Sequence, residues 1–128
     1  MDKSVLLQDL QRAVAQLDAA LTLPPANDVT KAGCIQYFEF CFELAWKTMK
    51  CIADEEGVQD CASPKSALKH GFRSGWLDAE TVWLDMLAAR NRMAHTYNAV
   101  DALTIYGQLP EYHAALNRFI ERLQNTNP

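Results

Sequence analysis

The sequence predicts an all-α protein: one domain over residues 1–128, folded as an antiparallel up-and-down bundle of four to five helices. Three observations carry this. Apolar residues recur every three or four positions over long stretches, the spacing of a buried helical stripe, and strand-like alternation is absent. Helix-breaking and capping residues punctuate the stripes at Pro24-Pro25, Gly57, Ser63-Pro64 and Gly75. Of the 128 residues, 49% are hydrophobic, enough for one real core but not two.

The first helix is expected from Ser4, as N-cap, to Leu23, with Val5, Leu6, Leu10, Val14, Leu17 and Leu21 as its apolar stripe. Pro24-Pro25 ends it and Ala26-Asn27-Asp28 is the turn. A second helix runs from Asp28 to Asp54 with Ile35, Phe38, Phe42, Ala45, Trp46 and Met49 toward the core. On its flank Glu39, Glu43 and Lys47 form a polar line at i, i+4, i+8. The simpler reading is a solvated face with a Glu43–Lys47 pair worth a few tenths of a kcal/mol; the alternative has Glu43 orient a group in a cleft.

Asp54-Glu55-Glu56-Gly57 closes that helix, and Ser63-Pro64 opens a third with an N-cap followed by Pro at N1. Lys65, Lys69 and Arg73 make a basic line along it, fit for solubility or for tracking a phosphate backbone. Gly71 and Gly75 flank a turn, Asp78 caps the fourth helix, and Val82, Trp83, Met86 and Leu87 dock it. Asn98 marks its end. A last helix spans Ala99 to Gln124, with Pro110 expected to break or kink it near Gly107 and the residues beyond Gln124 expected to fray.

The chemistry concentrates in Arg90-Asn91-Arg92-Met93-Ala94-His95-Thr96-Tyr97. Here a guanidinium able to clamp a phosphate lies close to an imidazole that exchanges protons near neutral pH. At about 100° per residue, Arg90, Ala94 and Tyr97 fall near one line and Asn91, His95 and Asn98 near the next. Arg90 and His95 are then about 140° apart, so they line different walls of a cleft, or the helix deforms, or Arg90 reaches around. As plain structure, Arg90 pairs with Glu43 or Asp85 and His95 complements a helix end.

Composition excludes several classes. No apolar run approaches the roughly 18 residues of a membrane span, and the N-terminus lacks signal-peptide architecture, so the cytoplasm is the expected location. Cys34, Cys41, Cys51 and Cys61 have no zinc-ligand spacing and read as reduced thiols. With no Gly-rich phosphate loop and no acidic cluster for magnesium, the chain cannot itself be a nucleotidyltransferase, and no cofactor or metal is expected. The net charge of −4 is uneven: residues 1–63 hold ten acids and five bases, residues 64–128 six acids and seven bases. Anionic ligands should therefore approach the second half.

Arg-x4-His-x-Tyr at Arg90, His95 and Tyr97, together with Phe38-Glu39-Phe40-Cys41-Phe42-Glu43-Leu44-Ala45-Trp46-Lys47, resembles the HEPN proteins. In particular it resembles their small all-helical branch called nucleotidyltransferase substrate-binding protein. Ser63-Pro64, the turn from Gly71 to Gly75 and Val82-Trp83-Leu84 extend the likeness, which runs from about Gln36 to Tyr106. The resemblance implies a minimal nucleotidyltransferase as partner in a toxin–antitoxin pair. It also implies a homodimer with two facing Arg-x4-His motifs that cuts RNA, tRNA among the candidates, without metal.

In that reading His95 is the base or the acid, Arg90 grips the scissile phosphate, and Asn91 fixes the His95 tautomer. Tyr97 matches the tyrosine that accepts AMP from the partner, which would silence the site. Glu43, Lys65, Lys69, Arg73 and Arg92 are candidate substrate or partner contacts. Two other readings stay open: a non-catalytic subunit that holds a nucleotide for the nucleotidyltransferase, and a structural dimer with the strip as its interface.

Overall fold

The computed structural model describes the backbone of residues 2–24, 27–95 and 99–126, and the side chains of these except Ala94, His95, Ala99 and Thr126. Five helices account for nearly all of it: α1 (Lys3–Leu21), α2 (Asp28–Glu55), α3 (Pro64–Arg73), α4 (Glu80–His95) and α5 (Ala99–Thr126). No strand occurs among the described residues.

Contacts at the helix ends set the topology. Lys3 pairs with Glu55 at one end of α1, and the Cys34 thiol meets the Ala20 carbonyl at the other, so α1 and α2 are antiparallel. Likewise α4 is antiparallel to α2, with Arg90 meeting Glu43 while Met93 borders the same crevice as Ile35 and Glu39. It is antiparallel to α5 as well, with the Trp83 ring edge-on to Phe119 and Asp85 bonded to Gln108. The Phe38–Tyr112 ring contact joins α2 and α5, which run parallel. The expected up-and-down bundle is therefore built from the four long helices, and α3 packs across the C-terminal half of α2.

Capping explains most boundaries. The Asp2 carboxylate accepts from the Ser4 backbone N–H at 3.0 Å and from its hydroxyl at 2.8 Å. Asp2, not Ser4, is thus the first N-cap, because a carboxylate at that end satisfies both donors. Val5 turns outward, 45% exposed, while Leu6, Leu10, Val14 and Leu17 are buried. Ser63 and Ser66 form a reciprocal capping box at the start of α3, with Pro64 at N1 as expected. Gly57 and Gly75, at φ +83° and +78°, each allow a closing turn in which the next residue's N–H reaches back into the helix: Val58 to Ala53 and Trp76 to Gly71, both at 2.9 Å.

Several expected features come out differently. Gly71 is not at a turn; it is buried inside α3, where a Cβ would stand 3.0 Å from Leu77 Cδ1. Asp78 does not cap α4, because its carboxylate is taken by α5: Arg118 Nε donates to it at 2.9 and 3.1 Å, and Arg122 lies 3.6 Å away. Pro110 neither ends nor divides α5, which is one continuous helix. The ring forfeits one backbone bond, but Leu109, Tyr112 and Leu116 are buried on either side of it and hold both halves on the core. The same helix carries on past Gln124 to Thr126. Asn98, the expected end of α4, lies outside the described residues.

Among the described residues, twenty-nine largely apolar side chains form the core, with Leu10, Phe38, Phe42, Trp83 and Leu109 fully enclosed. Cys34, Cys41 and Cys61 are buried free thiols. Burial pushes the Cys41 thiol up to about 12, which makes it a small apolar residue rather than a nucleophile.

Candidate functional site

The site grows from the crossing of α4 over α2. Ala89 and Met86 anchor the buried face of α4, and Arg90, next in sequence, emerges half-buried toward α2. Its Nε donates to Glu43 Oε1 at 2.6 Å, and the two side chains are each 31% exposed. Glu43 Oε2 accepts from Trp46 Nε1 at 2.7 Å. Both carboxylate oxygens are therefore engaged, one on the arginine and one on an indole from the next turn of its own helix. This is the ion pair expected of Arg90 as plain structure, with Glu43 rather than Asp85 as the partner. The carboxylate holds a side chain of the neighbouring helix instead of pairing along α2 with Lys47, which is exposed.

Arg90 Nη1 donates to Asn91 Oδ1 at 3.1 Å. A guanidinium carries five N–H donors, and among the described residues these two bonds engage it and set its orientation. Asn91 thus supports Arg90 through its Oδ1, while its expected role in fixing the His95 tautomer falls on a ring outside the described residues. The His95 backbone is the last described part of α4; its ring, and all of Tyr97, lie outside the described residues.

One turn before Glu43 on α2, Glu39 adds a second half-buried carboxyl. Burial and the Glu43 carboxylate hold it above the ordinary value of 4.5, against the pull of Arg90. Glu39 also borders a crevice of about 230 Å³ walled by Ile35, Met93 and Leu103, with Lys31 toward the start of α2. The Lys31 ammonium stands 5.7 Å from the centre of the Tyr106 ring. Neither Glu39 nor Lys31 is a site candidate on sequence grounds. The i, i+4 carboxylates on α2 are a visible hint, but the crevice depends on how α2, α4 and α5 meet.

The remaining candidates lie apart. Lys65, Lys69 and Arg73 are exposed on α3, whose Gly71 faces Met49 of α2, six residues or about 9 Å of helix beyond Glu43. Arg92 is exposed on the same helix as Arg90. Asp85, the other partner considered for Arg90, instead accepts from Gln108 Nε2 at 3.4 Å. Gln108 in turn accepts from the buried Tyr112 hydroxyl at 2.9 Å. Burial, with Asp85 close by, pushes that phenol up to about 12, so it stays protonated in neutral solution.

Among the described residues no three His, Cys, Asp or Glu side chains cluster to hold a metal ion, and no helix is long and apolar enough to cross a membrane. What the crossing offers is an oriented guanidinium, two carboxyls of unequal character and an adjoining apolar-walled slot.

Known proteins share this architecture. A Haemophilus influenzae protein named Probable ribonuclease HepT is 28% identical over 105 residues, covering 79% of this chain and 72% of its own. A crystal structure of a Thermus thermophilus protein superposes with a TM-score of 0.79 at 29% identity, over 89% of this chain and 98% of that one. HI0074 of Haemophilus influenzae, described as revealing the fold of a substrate binding domain of a nucleotidyltransferase, gives 0.70 at 25% identity, over 96% and 99%. The model of the family described as nucleotidyltransferase substrate binding protein like matches residues 6–125. The five-helix architecture and that near-complete match agree, and the chain belongs to this family.

Proposed function

We propose that this protein is the partner of a minimal nucleotidyltransferase and a metal-independent endoribonuclease, the toxin of a toxin–antitoxin pair acting in the cytoplasm. The observation that carries the reading is the Arg90–Glu43 contact, a part-exposed guanidinium oriented at 2.6 Å by a carboxylate of the neighbouring helix. Phosphate capture needs an oriented guanidinium fork, and this contact orients one.

The chemistry is a transesterification. His95 takes the 2′-hydroxyl proton, O2′ forms a bond to phosphorus, and the bond from phosphorus to O5′ breaks. Arg90 stabilises the charge on the phosphorane, and an imidazolium returns a proton to O5′, leaving a 2′,3′-cyclic phosphate and a 5′-hydroxyl. Each copy brings one His95, so base and acid come from the facing strips of a homodimer. Lys65, Lys69, Arg73 and Arg92 guide the RNA backbone by charge. Nucleotidylation of Tyr97, two residues beyond His95, places bulk and negative charge beside the guanidinium and silences the site. The name of the Haemophilus influenzae relative supports this reading.

The test is incubation of the purified dimer with total tRNA in EDTA, for wild type, Arg90→Ala and His95→Ala. Cleavage by wild type alone is expected. Retained nucleotide binding without cleavage would instead assign the chain as the non-catalytic substrate-binding subunit.

A further inference from the structure

We infer that the crevice beside Arg90 is a base-binding subsite selective for guanine, which fixes where an RNA strand is presented to the cleft. The inference rests on the reading of Arg90 as the phosphate grip, and it extends that reading from the phosphate to the base.

The walls come first. Ile35, Met93 and Leu103 line a slot of about 230 Å³, and Leu103 is 53% exposed although it is a large apolar side chain. An exposed leucine and a buried isoleucine lining one slot offer apolar surface to a flat ring. Charge then separates base from phosphate. The slot carries the carboxyls of Asp28 and Glu39 against the single ammonium of Lys31, so a phosphate is repelled from it and drawn to Arg90. An uncharged ring with hydrogen-bonding edges is not repelled.

The two ends select the base. Glu39 and Lys31 are eight residues apart on α2, so their Cα atoms are about 12 Å apart along the axis. Guanine alone presents two adjacent N–H donors, N1 and N2, to a carboxylate, together with the N7 and O6 acceptors for an ammonium. Adenine offers an acceptor where guanine has N1–H, which faces the Glu39 oxygens unfavourably. Partial burial strips water from the Glu39 carboxyl before any ligand arrives, so a bidentate donor edge replaces hydration already lost. Arg90 is within electrostatic reach of that same carboxyl, which puts the base next to the phosphate grip.

The experiment separates this inference from the ribonuclease reading by measuring binding and cleavage independently. Isothermal titration of wild-type protein with GMP, IMP, AMP, CMP and UMP should give GMP at least tenfold tighter than AMP. IMP, which lacks the N2 amine, should lose most of that preference. Glu39→Gln should erase it, and Ala32→Phe, a bulky ring introduced at a lining position, should abolish GMP binding; thermal melts confirm that both variants fold. In the second arm, oligonucleotides with a single guanosine should be cut beside it.

Equal binding of all nucleotides, or a GMP preference unchanged in Glu39→Gln, overturns the subsite. GMP selectivity with no RNA cut upholds the subsite, assigns its ligand as the free nucleotide and removes the ribonuclease. Cleavage without guanine preference or GMP binding removes the subsite and leaves the ribonuclease standing.

Discussion

Removing Glu43 should damage the site more than it damages the fold. The Glu43 carboxylate holds Arg90 Nε and Trp46 Nε1 at 2.6 and 2.7 Å, and Arg90 and Glu43 are each 31% exposed. An exposed ion pair contributes up to about 1 kcal/mol, and breaking a buried one costs about 3–5 kcal/mol. A pair one-third exposed lies nearer the lower figure. Glu43→Ala should therefore cost about 1–2 kcal/mol, counting the indole N–H left half-buried. For a chain of this size that lowers Tm by roughly 3–10 °C. The effect on cleavage should be larger, since a misplacement of about 1 Å at a reacting group can cost about a hundredfold. The assay is a double-mutant cycle of Glu43→Ala and Arg90→Ala in urea melts, run beside single-turnover cleavage. Coupling of about 1 kcal/mol that shrinks at high salt, with cleavage lost in each single variant, is the expected result. Coupling within about 0.3 kcal/mol of zero, or full cleavage by Glu43→Ala, would refute the bracing role.

Three further outcomes follow from particular side chains. Glu39 has a folded-state pKa above its ordinary 4.5, so the native state loses stability as pH rises through that window and carries a constant penalty above it. Glu39→Gln should therefore be more stable than wild type at pH 7, with the advantage fading below about pH 4.5 in paired urea melts; an advantage that grows on acidification would contradict this. Pro110→Ala restores the backbone bond to the Tyr106 carbonyl inside α5 and should stabilise by about 1–2 kcal/mol, read as a higher urea midpoint at unchanged m-value. Tyr97→Phe should cleave like wild type yet resist silencing by the nucleotidyltransferase, checked by intact mass; a modified and silenced Tyr97→Phe would move the acceptor elsewhere.

The helices were legible because their stripes and caps are local. Leu6, Leu10, Val14 and Leu17 on α1, and the Ser63-Pro64 start of α3, need only neighbours along the chain. Errors arose where tertiary partners overrode a local signal. Asp78 had the look of a cap, but Arg118 and Arg122, forty or more residues away, claim its carboxylate. Pro110 is a strong breaker, but buried side chains on both sides of it outweigh one missing bond. Gly71 has the look of a turn residue, yet it lies inside α3 in close approach to Leu77.

At the site, Arg90 and Glu43 could be paired on paper as one option among several. Choosing Glu43 over Asp85 and Lys47 required knowing which faces of α2 and α4 meet. The Glu39 crevice was invisible for the same reason, since its walls come from three helices.

The central claim is metal-free transesterification at Arg90 and His95, and the most direct test is the chemistry of the RNA ends. Unmodified protein, checked by intact mass, is incubated with tRNA in EDTA, and the fragments are analysed by mass spectrometry beside those from His95→Ala. Fragments ending in 2′,3′-cyclic phosphate and beginning with 5′-hydroxyl, made by wild type and not by His95→Ala, are the predicted result. No fragments from dimeric, unmodified protein, fragments with 5′-phosphates, or identical products from His95→Ala would contradict it.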